Sequence, residues 1–171
     1  EVKDVLTSMR DAAQKRSWVA FGYNGEDTTI SVLKKGTDGL AETESLLEDK
    51  SVVYILYSYV AAEAGSGSST VIEMLKYVLV TFVGSAVKPL HRGRSSQHRV
   101  YLYNFAQPYM QLAGEMQAVN KSEVTETAIA QKLSGSRLEE HTDSTQSADK
   151  LTGGRTGVAK GQDRLYFAET D

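Results

Sequence analysis

Chemistry in a chain without cysteine has to come from histidine, carboxylates, hydroxyls or glycine-rich loops, because no thiolate is available as nucleophile or metal ligand. His91 and His98 are seven apart, so a helix would put them on roughly one side. Their neighbours Arg92, Arg94 and Arg99 would repel a cation, and no carboxylate stands near to help hold one. His141 lies in a polar stretch. No G-x-S-x-G elbow presents a serine nucleophile. The carboxylate pairs Glu42/Glu44 and Glu139/Glu140 read as surface charge. The loop GSGSST (65–70) lacks the lysine that a phosphate-binding loop places before its hydroxyl residue, and GGRTG (153–157) has no strand before it or helix after it. No catalytic constellation, cofactor site or metal site is expected.

The distribution of charge is more informative. Between Glu73 and Glu115 run 41 residues without Asp or Glu, carrying Lys76, Lys88, Arg92, Arg94 and Arg99. This block is +5 in a chain whose net charge is −3, so everything else sums to −8. A concentrated basic stretch in an acidic protein is suited to an acidic partner. Nucleic acid ranks low, since no groove-reading motif accompanies the charge.

The elements that must position these residues follow from periodicity. Residues 2–13 set Val2, Val5, Leu6, Met9 and Ala13 at spacings of three and four, an amphipathic helix. WVAFGY (18–23) reads as a strand ending at the hairpin signal Asn24-Gly25, with a return strand over 28–33. After a break at Gly36 to Gly39, Leu40, Leu46 and Leu47 mark a helix with one buried face. VVYILYSYV (52–60) and YVLVTFV (77–83) do not alternate, so both are expected as neighbouring central strands covered on both faces. GSGSST joins them as a flexible connector. Tyr54, Tyr57 and Tyr59 then belong to the core, and Tyr101 or Tyr103 is left exposed beside Arg99.

Pro89 opens a long helix whose apolar face takes Leu90, Val100, Leu102, Phe105, Ala106 and Tyr109, and Pro108 should kink or end it. Residues 115–118 form a short strand, and Ser122 starts a last helix with Val124, Ile129 and Leu133. Beyond Leu133 large apolar residues become rare, so 135–171 is expected as a polar, disordered tail, with Leu165-Tyr166-Phe167 as a run able to dock on a partner or on the domain. No apolar run is long enough for a membrane span.

Several strings in this order carry a resemblance. WVAFGY, then Gly36-Thr37-Asp38-Gly39-Leu40 ahead of an acidic helix, VVYILYSYV, and KYVLVTFVG (76–84) together resemble the actin-depolymerising-factor homology (ADF-H) domain, nearest its coactosin and drebrin branch. Phe82 stands where that branch has a tryptophan. Pro89-Leu90-His91-Arg92-Gly93-Arg94 resembles the start of the family's long helix, and Glu115-Met116-Gln117-Ala118 and Ala130-Gln131-Lys132-Leu133 resemble its late strand and last helix.

The resemblance implies one domain over 1–134, of mixed α/β (α+β) class, with a five- or six-stranded mixed sheet between helices. It also implies an actin-binding, non-enzymatic protein of the cytoplasm and cytoskeleton. Arg92 and Arg94 match the two helix lysines of the family, and Lys76 matches the lysine heading the coactosin strand. Arg99 follows about a turn later, while Lys88 and Lys121 are added by charge alone. Cofilin's N-terminal phosphorylated serine has no match. The expectation is a monomer that binds filamentous actin, modulates filament dynamics and severs little. The alternative is an actin-independent or anionic-lipid (phosphoinositide) module using the same basic surface.

Overall fold

The computed structural model describes residues 2–23, 29–64 and 71–139. Helix α1 (Val2–Ala12) leads into strand β1 (Trp18–Tyr23), which pairs antiparallel with β2 (Ile30–Gly36). The return strand therefore runs three residues past its expected end, because Gly36 lies directly against the Trp18 indole, where any side chain would collide. The Asn24-Gly25 turn falls outside the described residues. Leu40–Leu46 forms a 3-10 helix rather than an α-helix.

Strands β3 (Val52–Ala64) and β4 (Val71–Val83) are the longest pair, joined in antiparallel register from Val52↔Val83 to Ala64↔Val71. β3 also pairs with β1, and β4 pairs in parallel with β5 (Leu112–Ala118), giving the mixed order β2-β1-β3-β4-β5. The GSGSST connector lies outside the described residues.

The non-alternating runs are indeed covered twice. Tyr54, Leu56, Tyr77 and Leu79 face α1 and the long helix α2 (Pro89–Met110). Val53, Ile55, Tyr57, Val78, Val80 and Phe82 face the 3-10 helix and α3 (Glu126–Glu139). Burying each such side chain stabilises the fold by about 1.5–3 kcal/mol, so two full cores explain why these strands can forgo polar positions. Tyr54 and Tyr57 are buried as expected and Tyr59 is half-buried.

Further boundaries differ from the sequence expectation. Pro108 sits inside α2, which continues two residues to Met110 and closes on Gln111 in the left-handed conformation. So near the C-terminal end, a proline deprives only one carbonyl of its partner. β5 begins at Leu112, ahead of Glu115. Ser122 does not start the last helix. It lies in the 3-10 turn Lys121–Glu123, closed by a reciprocal Asn120–Glu123 capping box. Helix α3 starts later, where Thr125 Oγ1 accepts the Ala128 N–H at 3.2 Å. α3 continues past Leu133 to Glu139, and residues 140–171 lie outside the described residues.

Candidate functional site

Helix α2 carries most of the basic block, and its two sides are set by packing rather than by the apolar residues alone. Ser95, His98, Leu102, Ala106 and Met110 recur at spacings of three and four and face the sheet. Leu90 and Val100, expected on that apolar face, instead point to solvent, at 63% and 47% exposure. The seam is held by polar contacts that a hydrophobicity pattern does not reveal. Tyr54 Oη donates to the Ser95 carbonyl at 3.0 Å, and Tyr23 Oη lies 2.9 Å from Tyr54 Oη and 2.7 Å from His98 Nδ1. Burial, with Tyr23 alongside, pushes the Tyr54 phenol far above its ordinary pKa. His98 is thus a buried, hydrogen-bonded packing residue. Among the described residues no group of three His, Asp or Glu side chains could hold a metal ion.

The six basic residues do not form one cluster. β4 and β5 run in parallel, so the loop entering α2 and the 3-10 turn after β5 lie at the same end of the sheet. That end collects Lys88, Arg92, Arg94 and Lys121. Arg92 is anchored there, its guanidinium donating to the carbonyl of Ser85 at 3.2 Å and of Gly84 at 3.5 Å. Arg94 follows Leu90 by one helical turn, so the cation and the exposed leucine share a stripe, which Tyr101 extends at 51% exposure. Of Tyr101 and Tyr103, Tyr101 is the exposed one.

Arg99 and Lys76 are placed elsewhere. Arg99 turns toward β5 and pairs with Glu115 at 2.7 Å, its side chain 19% exposed, so the first acid after the basic block neutralises it. Lys76 lies about midway along β4, where it lines a groove with Pro108 and Tyr109. Sixteen residues of helix separate Arg92 from Pro108, or about 24 Å at 1.5 Å per residue. Sequence reasoning had no signal for this separation, because it arises from the crossover that returns α2 alongside β4. It also missed Leu90 as a surface residue, and left open which of Tyr101 and Tyr103 is exposed; the spacing of Leu90 and Tyr101 from Arg94 was the available clue.

Comparison with known proteins agrees with this architecture. The family model for cofilin/tropomyosin-type actin-binding proteins matches residues 1–134. The chain belongs to that family. That family is one of actin-binding proteins. Among curated relatives, drebrin-like protein A of Xenopus laevis is 28% identical over 103 residues, covering 60% of this chain and 20% of that protein. The chain thus spans about a fifth of that relative's length. Human coactosin-like protein superposes with a TM-score of 0.61 at 20% identity, covering 78% of this chain and 92% of that one. Mouse coactosin, described as an actin filament binding protein, gives a TM-score of 0.56 at 18% identity, covering 82% and 96%. At these identities the structural matches establish the shared ADF-H fold. Among the described residues no helix is long and apolar enough to cross a membrane.

Proposed function

We propose that this chain binds filamentous actin through the end of the sheet at which α2 begins, and that it modulates filament dynamics with little severing. The observation that carries the reading is the stripe of exposed Leu90 and half-buried Arg94 beside Lys88, Arg92 and Lys121, on a helix without one acidic residue. An apolar contact rimmed by cations fits an acidic protein surface with a hydrophobic cleft. Arg92, already tethered to Gly84 and Ser85, loses less freedom on contact than an untethered side chain would. Family membership and the filament-binding coactosin relative support the same partner. On this reading Lys76 makes a separate contact about 24 Å along the helix from Arg92, Arg99 acts through Glu115 rather than directly, and the place of action is the cytoskeleton.

The test is co-sedimentation with filaments. Reversing two rim charges, Arg92→Glu with Arg94→Glu, juxtaposes like charges and should weaken binding by about 3 kcal/mol, roughly a hundredfold in Kd. Because Arg92 also braces the loop before α2, Arg94→Glu alone serves as the control that leaves that loop intact. Undiminished pelleting of both variants would remove this surface from the contact.

A further inference from the structure

The start of α2 is built unlike the rest of the helix. From Lys88 to Gln97 only one side chain, Ser95, is buried, so this stretch buries no apolar group, whereas Leu102, Ala106 and Met110 seat the second half. Helix-forming tendency does not make up the difference, because Gly93, Ser95 and Ser96 are all weaker formers than alanine. Lys88 stands at the N-cap without a side-chain bond and the first turn has no acid. Lys88 and Arg92 instead set positive charge against the positive end of the helix dipole. Polar contacts therefore hold the stretch closed. Tyr54 Oη donates to the Ser95 carbonyl at 3.0 Å, Ser95 Oγ to the Arg92 carbonyl at 2.8 Å, and Arg92 to the carbonyls of Gly84 and Ser85. Such bonds exchange for water at little net cost, so 88–97 opens as a local unit more readily than the domain unfolds.

Ser95 is the residue that this opening uncovers. In the closed helix it faces the sheet and is 1% exposed. Once extended, the segment presents its hydroxyl directly after Arg94, with Arg92 shortly before it, Arg99 shortly after it, and no Asp or Glu from 74 to 114. An extended, acid-free basic segment around a serine fits the acidic substrate groove of an arginine-directed serine kinase.

We propose that Ser95 is a phosphorylation site, reached when the start of α2 opens, and that its phosphate then keeps this segment open. Ser95 Oγ attacks the γ-phosphorus of a nucleoside triphosphate, the bond to the departing diphosphate breaks, and the hydroxyl proton passes to the catalytic carboxylate of the kinase. The product carries a charge of about −1.5 to −2. The closed seat does not take it back. Ser95 is enclosed there beside Tyr54, and Arg99, one turn on, is already engaged by Glu115 at 2.7 Å. Burying the phosphate without a counter-ion costs more than leaving the turn open. Ser96 is the contrast within the same turn. It is exposed, with Oγ 3.3 Å from the Arg92 carbonyl, so a phosphate there stays in solvent while the helix remains closed. Opening and modification do not depend on the actin reading. Their consequence does, since an open turn disperses Leu90, Arg92 and Arg94.

The test uses the full chain in two arms. In the first, the chain is produced with phosphoserine in place of Ser95 or of Ser96, and amide hydrogen exchange is recorded. With phosphate on Ser95, amides 92–97 should lose protection by about tenfold or more, while the sheet and residues 102–110 keep theirs. With phosphate on Ser96, both regions should match the parent chain. Parent-level protection of 92–97 in the Ser95 form overturns the proposal. So does loss of protection throughout the domain, which would make Ser95 an ordinary packing residue. In the second arm, the parent chain is incubated with magnesium ATP and the catalytic subunit of cyclic-AMP-dependent protein kinase, and phosphate is located by mass spectrometry. Incorporation is expected at Ser95. Lys88→Asp supplies the missing N-cap away from the hydroxyl and should slow incorporation about fivefold. No phosphate at Ser95, or an equal rate in Lys88→Asp, overturns the proposal. Both arms are read without actin, so they fail or succeed separately from the filament assay.

Discussion

Two glycine-to-alanine changes should move stability in opposite directions, and the structure gives the reason for each sign. Gly93 lies in the second turn of α2, and a Cβ built there meets nothing within 4 Å. Alanine at that position removes only the backbone entropy that glycine loses in a helix, a gain of about 1 kcal/mol. For a domain of this size that corresponds to about 3–5 °C in Tm. Gly84 is buried where β4 ends, its N–H donating to the Ser51 carbonyl at 3.0 Å. A Cβ there would overlap the backbone carbonyls of Asp49 and Glu48, which no rotamer change can relieve. Gly84→Ala should therefore cost about 2 kcal/mol, within the range of overpacked cores. Thermal melts and urea titrations of both variants provide the measurement. Because Gly93 lies one residue from Arg92 and from Arg94, Gly93→Ala should also pellet with filaments at least as well as the parent chain. A Tm that stays level or falls in Gly93→Ala would refute the reasoning, since α2 could then not run as an open-faced helix through its basic turn.

Two further outcomes follow from buried and hydrogen-bonded groups. Thr81, 2% exposed in β4, has a hydroxyl without a hydrogen-bond partner among the described residues. Thr81→Val should raise stability by about 1 kcal/mol, seen as a higher urea midpoint at unchanged slope, and a lower midpoint would show that the hydroxyl is satisfied after all. The Glu42 carboxylate accepts the Trp18 indole N–H at 2.9 Å and the Asp38 backbone N–H at 3.2 Å, the indole bond being the main cause holding its pKa below the usual carboxylate range. A depressed folded pKa means this contribution is present above the ordinary glutamate pKa and is lost as pH falls through the folded value. Trp18 is the sole tryptophan, so its fluorescence should show an acid step that Glu42→Gln abolishes; a step that persists would belong to another group.

The central pair of strands was legible because burial on both faces leaves a direct sequence signature, an apolar run without alternation, in 52–60 and 77–83. Their pairing with helices on both sides followed from that signature alone. The start of α3 was not legible, since Ser122 and Thr125 are both competent caps and the choice fell to the Asn120–Glu123 box that occupies the earlier position. Pro108 was placed correctly near a helix end, but the two residues beyond it depend on how α2 closes through Gln111 into β5.

By itself, the sequence determined the inventory of this protein: no thiol, two doubly buried strands, and a basic block without acids. Those are statements about residue types and local spacing, which need no third dimension. Tertiary structure decided how that block is used. The antiparallel return of α2 along β4 sends Lys76 to the opposite end of the helix from Arg92, and the β4–α2–β5 crossover brings Glu115 onto Arg99 across sixteen residues. It also turns Leu90 outward and Leu102 inward on one helix. Charge is additive along a chain, but contact is not: which cations remain available to a partner depends on distances that only packing sets.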